Sequence, residues 1–322
     1  MDVHPFIAAL RSDRAPQRQA QAAMDAAREA WRAEPGADAM MKDLGRFGDG
    51  VPLEACQTLE AVFAETGEAE RVTRLLSRHY CAAIKANPIG HPPFRHGYDG
   101  TASTMLLARA GRAQLMIQAI EPGPRENSGY LFSDAVRFDA VIAGEAEARI
   151  VRSLRPHTDV MNFSQERMAL RGGERIALDL QSETLAVDSV ARRLVILRLI
   201  RAAAEPQPMR EYDARSGKLL MQSAGTIATS RQEAIIALLG RMGRSDAAPE
   251  MARTALGDGD VSLRWQALRE CLALDSEEGF CALARLARRA DDPLAASAGA
   301  LRAQLLETHP QLAQLEADQC PA

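Results

Sequence analysis

The chain has 322 residues, with 39 basic and 43 acidic side chains for a formal net charge of -4, and it is 47% apolar but only 4% aromatic. That length is about twice that of one ordinary domain. The apolar content suffices for packed cores, while the charge balance excludes the clustered positive surface that phosphate binding needs.

Residues 1 to 85 read as helices. Met24, Ala27 and Trp31 share one face, as do Cys56, Leu59, Val62 and Phe63, and then Val72, Leu75, Leu76, His79 and Ala83, all at spacings of three and four. Glu34-Pro35-Gly36 and Gly48-Asp49-Gly50 interrupt them, and Pro52 stands where a helix can begin. The start of the chain, Met1 to Phe6, has neither the basic nor the apolar stretch of a secretory signal.

From 86 to 226 the period changes to two. Ala113, Leu115, Ile117 and Ala119 alternate with polar neighbours, Phe138, Ala140 and Ile142 are expected to point inward, and so are Ala146, Ala148 and Ile150. Gly144 between the last two sets is expected to be a turn, and Gly172-Gly173 is expected to close a hairpin between Met168 and Leu178. Leu194 to Ile200 is apolar on both faces, which predicts a central strand. Arg198 breaks the run, so no membrane span is expected. Tyr212 to Leu219 reads as two strand ends joined by a turn containing Gly217. About eight short strands without intervening helices predict an antiparallel sandwich or barrel.

From 227 to 322 helical periodicity returns and repeats. Arg231, Ala234 and Ile235 align with Arg264, Ala267 and Leu268 33 positions later, and Ala267 aligns with Ala298 31 positions further on. A period near 30 with small residues at the crossings predicts stacked helical hairpins. Asp260-Val261, Arg264, Ala267-Leu268 and then Asp291-Asp292-Pro293-Leu294, Ala298 and Leu301 resemble the HEAT-like repeat family. The first copy is weaker, and the third lacks the arginine.

Two glycine-centred stretches of the middle region carry a second resemblance. Phe138 to Ile150 and Leu170 to Leu178 look like the two motifs of a cupin, which implies a double-sheet jelly roll. In cupin enzymes a metal is held by a His-x-His pair and a glutamate in the first motif and a histidine in the second. Here Tyr130-Leu131-Phe132-Ser133-Asp134 stands where the histidine pair belongs, and Gln181-Ser182-Glu183-Thr184 where the last histidine belongs. The nearby His157 falls in a connection. The resemblance therefore implies shape without the family's metal site.

The expected architecture is a multi-domain α+β chain: N-terminal helices over 1–85, a central antiparallel cupin-like β jelly roll over 86–226, and C-terminal HEAT-like helical repeats over 227–322. The expected function is that of a non-enzymatic, cytoplasmic interaction or regulatory protein without a cofactor. A protein or peptide partner is expected on the repeats at Arg264, Trp265 and Arg269. A small-molecule ligand is assigned to a polar lining of Tyr130, Ser133, Asp134 and Arg137, the β domain alternatively serving as a homodimer contact. Two alternatives stand beside this reading: a regulatory subunit of an enzyme encoded nearby, and a cupin-type oxygenase or isomerase holding a divalent transition metal at His91, His96 and Asp99. Neither nucleic acid nor membrane is an expected partner. The five cysteines form no CxxC pair and are expected to be free thiols.

Overall fold

A computed structural model describes residues 13–154 and 160–319. Among the described residues four α-helices come first: α1 (Ala15–Arg32), α2 (Ala37–Gly48), α3 (Gln57–Ala64) and α4 (Glu68–Ala86). Pro16 sits in the first turn of α1, where its missing N–H costs nothing. Ala20, Met24, Ala27 and Trp31 form the buried stripe that their spacing predicts. The Asp43 carboxylate of α2 accepts hydrogen bonds from the backbone N–H groups of Thr58 (2.9 Å) and Leu59 (3.4 Å). A buried carboxylate thereby serves orphan donors at the start of α3 and favours the positive end of its dipole.

Eleven strands follow among the described residues: β1 (Arg95–Tyr98), β2 (Ala102–Ala110), β3 (Ala113–Ile120), β4 (Gly123–Pro124), β5 (Gly129–Phe132), β6 (Ala135–Ser153), β7 (Phe163–Arg171), β8 (Arg175–Asp179), β9 (Glu183–Ala202), β10 (Met209–Asp213) and β11 (Leu219–Ser223). The main sheet runs β1-β2-β3-β9-β6-β7, with β4 added to β9 and β8 to β6, and a small sheet runs β11-β10-β5. The apolar run Leu194 to Ile200 lies in β9, paired with β3 on one side and β6 on the other, so the central-strand expectation holds.

Two glycine expectations are corrected. Gly144 is no turn between strands: it lies inside the 19-residue β6, whose pairing with β9 slips repeatedly between Val141 and Ala148. These irregularities bend the strand, and the bend brings its ends together. Ala135 O accepts from Leu180 N (2.9 Å), while Ser153 N donates to Ser182 O (2.8 Å), so two ends of one strand meet the same short turn. Gly172-Gly173 likewise closes no hairpin. Strands β7 and β8 pair successive parts of β6, at 145–153 and 136–140, and not each other. The glycines interrupt a line of pairing opposite the bend.

The rolled sheet has two buried faces. Inside the roll, Val141, Ala146, Ala148, Leu170, Ile176, Leu194 and Ile196 form one core. On the other face of the same strands, Ala140, Leu197 and Leu199, with Ala113 and Leu115 of β3, join the N-terminal helices in a second core. Phe138, Ala140 and Ile142 are accordingly corrected: they face the helices, since the sheet carries an apolar layer on each side. Contact is closest at Gly48, where a Cβ would lie 1.9 Å from Ala110 O. Arg201 adds a tie from β9, donating to Phe47 O (3.2 Å) and Val51 O (2.8 Å) with its guanidinium carbon 4.1 Å from the Phe47 ring centre. A third core, with Tyr130, Phe132, Val151, Met161, Ala186 and Tyr212, lies under the small sheet.

The chain divides into two compact units, Met1–Pro206 with Arg210–Met221, and Gln207–Met209 with Gln222–Ala322. Helices and rolled sheet therefore share the first unit. Among its described residues the second holds six α-helices: α5 (Ile227–Arg241), α6 (Ala248–Leu256), α7 (Val261–Leu274), α8 (Ser276–Ala287), α9 (Ala295–Thr308) and α10 (Leu312–Gln319). Consecutive helices pack on one another from α6 to α9, and α5 also packs on α7 and α6 on α8. Cys56, Cys81 and Cys271 are free thiols, but Cys281 is disulfide-bonded, which corrects the all-free expectation. Spacing along a chain does not show which thiols approach within bonding distance. Cys320 and His157 lie outside the described residues.

The bend at Gly144 has φ +101°, and a Cβ there would meet Arg193 O at 2.3 Å and Leu194 Cα at 2.6 Å. Gly144→Ala is expected to lower stability by more than about 3 kcal/mol, measured by urea unfolding, because backbone strain adds to an immovable clash. Ala substituted at Gly173, where nothing lies within 4 Å of the added carbon, meets only the φ penalty and is expected to cost about 1 kcal/mol.

Candidate functional site

Along β6, Arg137 and Asp139 stand on the same face as Val141, directed into the roll, and in β9 Arg198 shares the face of Ile196 and Leu194. Asp139 lies opposite Arg198 in the β6–β9 register. Its carboxylate accepts from Arg198 Nε at 2.8 Å and Nη2 at 3.0 Å, and from Arg137 Nε at 2.9 Å and Nη2. The side chains of Asp139, Arg137 and Arg198 are 0%, 10% and 13% exposed. Burial alone would raise the Asp139 pKa, but Arg198 and Arg137 outweigh it and hold the group at about 2. Two guanidiniums thus share one carboxylate inside the roll, leaving a cationic excess.

That cluster decides what the interior can bind. A divalent metal needs converging imidazoles or carboxylates, whereas here two fixed cations flank the one acid and Val141, Leu194 and Ile196 fill the adjoining space. The residues present therefore do not fit the metal that the cupin resemblance brings to mind.

The four residues expected to line a ligand site are dispersed. Arg137 belongs to the ion cluster. Tyr130 is buried in the core under the small sheet, 5.1 Å from Phe163 between ring centres, and Gln165 Nε2 donates to its hydroxyl at 3.4 Å. Ser133 and Asp134 occupy the turn between β5 and β6, where Ser133 N donates to Leu180 O and Asp134 O accepts from Ala203 N, both at 2.9 Å. The expectation of one shared lining is corrected, because alternation and the β5–β6 turn send neighbouring side chains to different layers.

Nor do His91, His96 and Asp99 converge as drawn from the sequence. All three are exposed, and His96 stands in edge strand β1 opposite Met105. Asp99 ends that strand by accepting from Thr101 N (2.9 Å), Ala102 N (2.7 Å) and Thr101 Oγ1 (2.9 Å). The Thr101 and Ala102 amides, with the Thr101 hydroxyl, hold its carboxyl below the ordinary value. It is the acceptor of a turn. Among the described residues no group of three or more His, Cys, Asp or Glu side chains is placed to hold a metal ion.

In the second unit the expected trio separates. Arg264 is 5% exposed: its Nε donates to Ala255 O at 3.1 Å, and its Nη2 pairs with Asp292. Arg264 is thereby corrected from a surface contact to a link between two helical pairs, with Asp292 also accepting from Leu294 N at 3.0 Å before α9. Trp265 and Arg269, one turn apart on α7, do come together. They border a groove of about 660 Å³ walled by Leu272, Phe280, Leu301 and Leu305, and on their other side a shallower hollow of about 490 Å³.

Sequence reasoning missed Asp139 and Arg198, although both carried a signal: each is a charge set among residues that are apolar on either side. It also missed Leu301 and Leu305, whose role depends on how α9 packs on α8.

No protein-family model matches the chain, and no curated protein matches it. Among solved structures it is similar to the 7S globulin of Momordica charantia, at 16% identity and TM-score 0.28, covering 38% of this chain and 36% of that one. It is also similar to a cupin-superfamily protein of Desulfitobacterium hafniense (14%, TM-score 0.24, 33% of this chain and 83% of that one). A third similarity is to ectoine synthase of P. lautus (16%, TM-score 0.24, 33% and 67%). At such values the likeness assigns no activity, and the architecture rests on the strand pairing described above.

The Asp139 cluster makes stability depend on acid. An unfolded Asp139 titrates near 3.8 and the folded one at about 2, so the unfolded chain takes up the proton first as pH falls. The contribution, about 2 kcal/mol, is present above pH 4 and lost between about 4 and 2. Asp139→Asn is expected to cost about 3–5 kcal/mol at pH 7, since two buried guanidiniums lose their counter-ion. Urea unfolding at pH 7 and 3 checks both: the cost of the substitution shrinks at the lower pH.

Proposed function

We propose that the chain is a non-enzymatic interaction protein, in which a cupin-like jelly roll without a metal centre accompanies a HEAT-like helical array that docks a protein or peptide partner. The observation that carries this reading is the ridge of Trp265 and Arg269 between two hollows on the array. An aromatic beside an arginine, half-sunk in an apolar groove, is the side-chain pair that dominates binding energy at protein interfaces. The groove floor is apolar at Leu301 and Leu305 while Arg269 is exposed at its edge, which suits a segment offering an apolar anchor next to an acidic residue.

Two further features support it. The Arg264–Asp292 pair and the carbonyl of Leu256, which accepts from Arg289 Nη1 at 2.5 Å, tie successive helical pairs together as a stacked array requires. On α5, Ile235 and Leu238 are exposed at helical spacing with Met242 just beyond, an apolar edge at the first helix of the array. The filled interior of the rolled sheet favours a structural role for the first unit over a catalytic one.

The reading is tested by affinity capture with the full chain and with two variants. Arg269→Glu, at an exposed position, is expected to leave the melting temperature unchanged and to weaken retention of the captured partner at least about tenfold. Trp265→Ala is expected to abolish retention while costing about 1–3 kcal/mol, because the ring also packs against the helical core. A partner retained equally by both variants, or none retained by the unaltered chain, overturns it.

A further inference from the structure

The interface between the N-terminal helices and the outer face of the rolled sheet encloses a cavity of about 170 Å³, lying wholly within the first unit. Its walls divide by element. The sheet supplies an apolar floor of Leu107 from β2, Leu115 from β3 and Leu197 from β9, whereas α1 and α4 contribute Trp31 and Thr73. The Trp31 indole nitrogen and the Thr73 hydroxyl are buried, and neither has a hydrogen-bond partner. Trp31 as a whole is 7% exposed. An atom left in this state costs about 1–3 kcal/mol, and both belong to residues that line the cavity.

The same wall carries charge of one sign. Arg28 and Arg32, on either side of Trp31 along α1, both border the cavity and both reach solvent. Arg28 is also paired with Asp25 and Glu29, at 3.5 and 3.4 Å, whereas no ion pair of Arg32 is found among the described residues. Guanidiniums at the helix side, two unserved polar atoms beside them and an aliphatic floor on the sheet describe a complementary molecule. It has an anionic acceptor at one end and a compact hydrocarbon body at the other.

We propose that this cavity binds a small apolar carboxylate. The carboxylate lies toward Arg32, and the hydrocarbon body lies against Leu107, Leu115 and Leu197. A volume near 170 Å³ admits a body of about six to eight carbons, and the carboxylate supplies acceptors to donors that the protein leaves without one. The site is separate from the groove on α7 and goes beyond the partner-docking role proposed above. It also assigns a use to the helical layer, since α1 and α4 close the cavity over the sheet.

Trp31 and Trp265 are the chain's two tryptophans, so fluorescence of the full chain carrying Trp265→Phe reports Trp31 alone. Titration with octanoate is expected to give a saturable change in Trp31 emission and a raised melting temperature. Octan-1-ol, with the same chain and no charge, is expected to bind at least about tenfold more weakly. Arg32→Gln, at an exposed position, is expected to bring octanoate down to the level of octan-1-ol without changing the melting temperature of the ligand-free protein. The proposal is overturned by equal binding of acid and alcohol, by emission and melting temperature that respond to neither, or by an unchanged preference in Arg32→Gln. Affinity that keeps rising from octanoate to dodecanoate overturns the assignment to a cavity of this size.

Discussion

Two strands of 19 and 20 residues, β6 and β9, pair along nearly their whole length, and both faces of that pair are covered. One face closes on itself as the strands bend; the other is covered by helices. Alternation makes this arrangement demanding, because each residue is committed to one layer and its neighbour to the opposite one. Leu194 and Ile196 enter the roll while Leu197 and Leu199 meet the helices. Unbroken alternation along β9, from Leu194 to Leu199, lets the run serve both. The N-terminal helices are therefore no appendage: without them, Leu115, Leu197 and Leu199 would face water.

The buried ion cluster belongs to the same constraint. Inside the roll, Arg137, Asp139 and Arg198 occupy positions that elsewhere on the face are Val, Leu and Ile. A buried pair is weak evidence for stability but costly to break, so the cluster acts as a register lock: a one-residue slip of β6 against β9 would carry Arg137 and Asp139 to the helix side and strand Arg198 in the roll without its counter-ion. Its chemistry also sets the character of the unit, since a cationic interior disfavours metal ions.

The cavity and the groove occur where layers of different kind meet. In the first unit, flat helix flanks cannot follow every contour of a twisted sheet, and space remains above Leu115 and Leu197. In the second, the short α10 leaves α8 and α9 incompletely covered beside Trp265. Ordinary packing mismatch thus supplies the concavities, and the side chains at their rims, Arg32 in one and Arg269 in the other, give each its chemical preference.

Helical, β and helical regions were legible in the amino-acid sequence because periods of 3.6 and 2 are local properties, and so was the two-sided burial of Leu194 to Ile200. The pairing of Trp265 with Arg269 on one helix face was legible for the same reason. Partnership was not. Gly144 looks the same whether it turns a hairpin or bends a long strand; the choice depends on β9, 40 and more residues away, offering continuous pairing. Arg264 looks like a surface charge until Asp292 of the following helical pair meets it. Tyr130 and Arg137, seven residues apart, part company because a turn and the pleat send them to separate cores. Sequence by itself determined which elements form, since their signals lie within one turn or one strand. Tertiary structure alone decided which face of each is inside and which charges meet, because those depend on residues brought together from distant parts of the chain.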